Sequence, residues 1–172
     1  DYCFEALQVA RENAEISQSK VNHVLADMTM RLPFASDSAD AVFSLGTSFG
    51  LDSADERNAS VFRFSFEVLR PNGIFVLDYV NSTPFRYPYQ QYRECKLANG
   101  SLRMEEFRFY PETSSSVTKI ILKRVHGEQS IFYHYVKHYS ISQIVQMMEK
   151  SGLGVIKVFG NFKGERFDPQ KS

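Results

Sequence analysis

"DAVFSLGTSFGLDSADERNASVFRFSFEVLRPNGIFVLDYV", residues 40–80, decides the fold. Its first seven residues, "DAVFSLG", form a near-continuous apolar run, the mark of a strand buried on both faces. Ser53 and Glu56 then stand in capping-box spacing and open a helix with Phe62, Phe66 and Leu69 along one face. Pro71-Asn72-Gly73 ends that helix, and "IFVLDYV" is again an unbroken apolar strand. Strand, helix and strand in units of this length predict parallel strands joined by a right-handed crossover, so the chain reads as an α/β domain.

The same alternation extends both ways. Upstream, "FEALQVARENAE" places Phe4, Leu7, Ala10 and Ala14 on one helical stripe. A short strand over 21–26 follows and delivers Asp27 beside Met28. Downstream of Asn81 the texture changes. "STPFRYPYQQYRE" is aromatic and broken by prolines, and reads as an irregular loop. Three alternating segments come next, "LRMEEFRFY", "VTKIILKRV" and "SIFYHYVKHY", separated by turn-rich stretches. They predict a three-stranded antiparallel β insertion. Ser140 and Gln143 make a second capping box, Ile141, Ile144, Val145 and Met148 form a buried stripe, and Gly152 closes the helix. "GVIKVFG" is the last predicted strand. One domain over 1–172 is expected, with 82–139 forming a loop and β insertion that lids a substrate site.

Bulk properties narrow the function. A chain of 172 residues suits one domain that buries roughly two thirds of its unfolded surface. Formal net charge is zero, which removes the global field that would draw nucleic acid or an anionic membrane. Cys3 and Cys95 make no disulfide framework and no metal-ligand spacing, which fits a reducing compartment. No apolar run approaches the roughly 20 residues that cross a bilayer, and the first residues are acidic rather than signal-like. A cytoplasmic location is expected.

With its elements in this order, the chain resembles the class I S-adenosylmethionine-dependent methyltransferases. Four stretches carry the likeness: "DYCFEALQVAR", "LADMTMRLPFASDSADAVFSLGTSFG", "EVLRPNGIFVLDYVN" and "GNFKGERFDPQKS". The resemblance implies a Rossmann-like, mostly parallel sheet in a partial methyltransferase fold, with methyl transfer to a small-molecule or peptide acceptor. The family's glycine-rich cofactor loop and its first strand have no counterpart in the sequence. The only G-x-G, at Gly152 and Gly154, follows a helix instead of preceding one. A fragment that binds the cofactor poorly is therefore expected, and the missing initial Met adds to that expectation.

Within this resemblance, S-adenosyl-L-methionine is the expected cofactor. Asp27 would accept the adenine amino group while Met28 covers the ring face. Asp1 would take the ribose hydroxyls, and Ser44, Leu45 and Gly46 would pass the methionine moiety at the end of their strand. The substrate side would be lined by Thr47, Ser48, Phe49, Asn81, Arg86, Tyr89, Tyr133 and Tyr135. Methyl transfer from a sulfonium is an in-line displacement, so the protein's share is proximity, orientation and exclusion of water, with no obligatory base. Two copies could pair through an exposed aromatic face of the insertion.

Other chemistries stay open on the residues. His134 and His138 would share a helix face, but on a strand they stand roughly 13 Å apart, too far for one ion, and no metal is expected. "GTSFG", Gly46 to Gly50, matches the G-x-S-x-G of a hydrolase nucleophile elbow, with Asp78 and a later His in the right chain order. That motif needs a helix directly after the Ser, and Leu51-Asp52 intervene. A third reading is a non-catalytic interaction module or truncated product of the same fold.

Overall fold

The computed structural model describes residues 3–81 and 89–170. In chain order the elements are α1 (Phe4–Ile16), β1 (Ala39–Ser44), α2 (Asp55–Val68), β2 (Leu69–Leu77), β3 (Tyr89–Lys96), β4 (Leu102–Tyr110), β5 (Ser115–Lys123), β6 (Gln129–Lys137) and α3 (Ile141–Lys150). β1 and β2 pair in parallel, and β3-β4-β5-β6 form an antiparallel meander in that order. The stretch 40–80 is thus a β-α-β unit, as its periodicity predicts.

Parallel pairing runs from Ala41 opposite Ile74 to Ser44 opposite Leu77, with an irregularity at Ala39–Ala41 where Leu69 to Gly73 bulge. Strand alternation turns Phe75 and Leu77 onto the core and leaves Phe43, Ile74 and Val76 exposed on the other face. The apolar run therefore does not mean burial on both faces, because none of the residues of α1 is buried and nothing described covers that side. Phe4 is itself exposed, while Leu7, Ala10 and Ala14 are half-buried.

Four expectations change. The insertion has four strands, not three: "YQQYRECK" pairs along its length with β4, Tyr89 opposite Phe109 to Lys96 opposite Leu102. It is a polar edge strand and carries none of the apolar alternation that betrays an inner strand. α2 starts at Asp55 with Ala54 as its N-cap, so Ser53 and Glu56 form no capping box; Asp52 Oδ1 accepts the Ala54 N–H instead at 2.9 Å. Its buried stripe is Asn58, Val61, Phe62, Ser65 and Val68, with Phe66 exposed, and the helix ends at Val68, ahead of Pro71-Asn72-Gly73. Residues 21–26 and 154–158 have no ladder partner among the described residues, and Phe159 makes only an isolated bridge to Arg166. A strand needs a neighbour for its backbone groups as well as an apolar rhythm.

The core gathers where α2, α3 and the end of β2 meet the loop after β1. Phe49 and Phe62 are fully enclosed with ring centroids 4.7 Å apart, and Tyr139, Val61 and Ile144 complete the cluster. α3 carries the expected capping box: the Gln143 N–H donates to Ser140 Oγ, and the Ser140 N–H donates to Gln143 Oε1 at 2.8 Å. It ends at Lys150, just ahead of Gly152.

A polar lattice fastens the end of the insertion to this core. The Lys137 N–H donates to the Gly50 carbonyl at 2.7 Å, and the Tyr79 hydroxyl donates to the Lys137 carbonyl at 2.8 Å while accepting from the Tyr139 N–H. The Tyr139 hydroxyl donates to Asp55 and accepts from Asn58 Nδ2. Lys137 Nζ pairs with the same Asp55 carboxylate at 2.6 Å. Gly50 has to be glycine here: its φ is +91°, and a Cβ would lie 2.4 Å from the Lys137 carbonyl oxygen.

Candidate functional site

This anchoring sets one face of the meander over the carboxyl ends of β1 and β2, where open α/β sheets bind ligands. A cleft of about 490 Å³ lies there, with Thr47 and Val80 on the strand-end side and residues of all four insertion strands on the other. Cross-strand register arranges the sheet wall in layers. Tyr89, Phe109, Ser116 and Val136 are successive neighbours nearest the anchored end. Gln91, Phe107, Thr118 and His134 form the next layer, and Arg93 and Glu105 the one beyond.

The inner end is apolar with a buried polar pair. His138 Nε2 lies 2.8 Å from Ser116 Oγ, and both residues are buried. The His138 ring also packs edge-on against Phe109 at 5.4 Å. Burial holds the imidazole below its ordinary pKa, which keeps it neutral at pH 7. Farther out charge enters: Glu105 pairs with Arg103, and Arg93 donates to Gln91 Oε1.

Of the residues expected to face substrate, Thr47 and Tyr89 line this cleft. Phe49 does not: it is fully enclosed among the rings of Phe62, Tyr79 and Tyr139, so it packs the core. Tyr133 and Tyr135 sit one residue out of phase with His134 and Val136, which puts them on the opposite face of β6. The Ser48 hydroxyl donates to the Leu45 carbonyl at 2.7 Å, and Asn81 Nδ2 donates to the Pro169 carbonyl. Arg86 lies outside the described residues, as does Asp1. His134 and His138, which the spacing argument set aside as metal ligands, line the cleft instead. No group of three or more potential metal ligands occurs among the described residues.

The elbow reading fails on geometry. Gly46 and Thr47 both have positive φ, and α2 begins only at Asp55, so no helix N-terminus follows Ser48 to bind an oxyanion.

The residues at the strand end fit a cofactor. Ser44 Oγ is buried without a hydrogen-bond partner, and nothing lies within 4 Å of the position a Cβ on Gly46 would take. The Gly46 N–H is held by Asp78 Oδ2 at 3.1 Å, and the Asp78 N–H donates to the Ser44 carbonyl, which shapes the turn. Asp27 is half-buried. Its Oδ1 accepts the Thr29 N–H and hydroxyl, each at 2.8 Å, and its Oδ2 faces Arg57 at 3.4 Å. The Thr29 backbone bond, before the guanidinium, holds its carboxyl below the usual range. Met28 packs on the core cluster.

Three solved structures share this fold. CcbJ methyltransferase from Streptomyces caelestis aligns over 96% of this chain and 66% of its own, with 20% identity and a TM-score of 0.80. An S-adenosylmethionine-dependent methyltransferase from Clostridium acetobutylicum aligns over 98% and 68%, with 12% identity and a TM-score of 0.82. CalS10, an amino pentose methyltransferase from Micromonospora echinaspora involved in calicheamicin biosynthesis and solved with S-adenosylmethionine bound, aligns over 81% and 60%, with 15% identity and a TM-score of 0.60. The fold is that of the class I S-adenosylmethionine-dependent methyltransferases. Residues 1–77 also match the family described as "Methyltransferase domain". The chain spans about two thirds of the length of CcbJ. None of the curated proteins compared matches it. Among the described residues no helix is long and apolar enough to cross a membrane.

Proposed function

We propose that this methyltransferase-fold chain transfers a methyl group from S-adenosylmethionine to a polar small molecule held in the cleft between the β1/β2 strand ends and the insertion. The cleft's place at those carboxyl ends carries the reading. When bound, the cofactor supplies the electrophilic methyl and its own leaving group. The chain's residues divide the remaining work. Asp27 Oδ2 accepts the adenine amino group and Met28 lies against the ring, while Ser44 Oγ and the open side of Gly46 receive the methionine end. The insertion acts as a lid that orients the acceptor and excludes water.

The lining favours a hydroxylated or amino-bearing acceptor. Gln91, Thr118 and Ser116 offer hydrogen bonds, and Tyr89 with Phe107, ring centroids 6.0 Å apart, offers a surface for a sugar-like ring. CalS10 acts on an amino pentose and KedS8 is a sugar N-methyltransferase, which supports an amino sugar as the first acceptor to try. The test is to incubate the full-length protein with methyl-labelled cofactor and a panel of amino sugars and their deaminated counterparts. Label should appear on at least one amino sugar. Absence of both label transfer and calorimetric cofactor binding refutes the proposal.

A further inference from the structure

We infer that two copies of this chain join through the free edge of β6, pairing antiparallel over residues 129–135 with Phe132 opposite its own counterpart. The two meanders then become one continuous sheet. This goes beyond the methyl-transfer reading and does not rest on it. Pairing through an aromatic face, expected from the sequence, becomes pairing along an edge.

Backbone direction defines that edge. β6 is the last strand of the meander, with β5 on one side. The His138 N–H donates toward β5, to the Ser114 carbonyl. The Lys137 N–H and carbonyl point the other way, to the Gly50 carbonyl and the Tyr79 hydroxyl. Strand alternation then turns the N–H and carbonyl groups of Ile131, Tyr133 and Tyr135 outward as well. Among the described residues no strand pairs along them. One end of the edge thus already docks a backbone segment at Gly50, and the hairpin turn over 124–128 bounds the other. Between these bounds Ile131 is 47%, Phe132 54% and Tyr133 69% exposed.

Side-chain chemistry decides what this edge accepts. β3, the meander's other edge, carries Arg93, Glu94 and Lys96, and such charges discourage edge-to-edge pairing. No Asp, Glu, Lys, Arg or Pro occurs from Gln129 to Val136. The adjoining turn adds no net charge, since Arg124 and Glu128 pair with each other. An antiparallel partner of identical sequence overlaps the open stretch fully only when its midpoint, Phe132, lies on the two-fold axis. In that register Ile131 faces the partner's Tyr133 and Gln129 faces the partner's Tyr135, and these pairs exchange backbone bonds. Phe132 meets the partner's Phe132 at a non-hydrogen-bonded position, where side chains come closest. Aromatic–aromatic and aromatic–β-branched pairs are favourable across strands, and no like charges are opposed. The contact closes on itself, because each copy offers the same surface. A two-fold axis normal to the sheet keeps both clefts on one side. The partner's Phe132 then continues the row that runs from Arg93 and Glu105 through Ile120 to Phe132, at the outer end of each cleft.

The test weighs the full-length protein by analytical ultracentrifugation and uses the variants Phe132→Glu and Phe132→Lys. The wild type should sediment as a dimer at micromolar concentration. Each variant alone sets like charges against each other across the axis and should fall to half that mass, with its circular dichroism spectrum unchanged. Mixed in equal amounts, the two variants should regain the dimer mass, because a residue that meets itself is rescued by the opposite charge in trans. Independently of any variant, the backbone amides of Ile131, Tyr133 and Tyr135 should exchange with solvent as slowly in the wild-type dimer as those of an inner strand. Should either variant not fold, that exchange measurement decides. A monomeric wild type, a dimer whose mass neither variant changes, variants that do not recombine, or freely exchanging amides in the dimer overturns the inference. None of these readouts uses methyl transfer, so the proposed function stands or falls separately.

Discussion

Gly50 shows how one residue carries the architecture. Its left-handed backbone and the 2.4 Å approach of the Lys137 carbonyl leave no room for a side chain. Gly50→Ala should cost about 1–2 kcal/mol from the left-handed conformation alone, and more from separating the Gly50–Lys137 hydrogen bond. Urea unfolding should show the lower midpoint. Because the displaced atoms anchor the insertion, acceptor KM should also rise. Asp27 is the contrasting case. The sequence raised the question of a carboxylate beside a thioether, and the structure supplies a local answer in the Thr29 bonds and Arg57. Both of its oxygens thus have partners within the chain, while 38% of the side chain stays exposed.

Among the elements, α3 was the most legible and the edge strand β3 the least. Ser140 and Gln143 cap α3 reciprocally, a pattern with its own sequence spacing. Ser140→Ala should therefore destabilise the protein by about 1 kcal/mol, measurable as a lower thermal midpoint. Such a loss should be absent for Ser53→Ala, since α2 is not capped by Ser53. β6 shows why a pattern can name a strand without naming its inner face. "SIFYHYVKHY" places large rings at both parities, so alternation alone does not choose between Tyr133 with Tyr135 and His134 with Val136. Register with β5, and the bond from Lys137 to Gly50, make the choice.

Across the whole molecule, pH should act in separate windows. His138 has a folded pKa below its ordinary 6.5, so the unfolded state binds more protons in that interval. Its share of stability is complete above about 6.5 and falls as pH drops from there toward the folded value. Asp55, held low first by Lys137 and then by Tyr139, and Asp27 contribute above 3.8 and lose that contribution only as pH falls through their lower folded values. Urea midpoints measured from pH 8 to pH 3 should thus decline in two stages. His138→Gln should remove the first and keep the second; an unchanged first stage would assign it to another group.

The amino-acid sequence determined the β-α-β unit, three of the meander's four strands, the capped helix and the family resemblance, because each is written in spacing over a few neighbouring residues. Tertiary structure alone decided that β3 joins the insertion and that 21–26 and 154–158 run without ladder partners among the described residues, since pairing depends on what lies alongside. It also decided which face of β6 meets the strand ends. That face brings His138 and Ser116, 22 residues apart in the chain, to one end of a cleft, a juxtaposition that only long-range packing and register can produce.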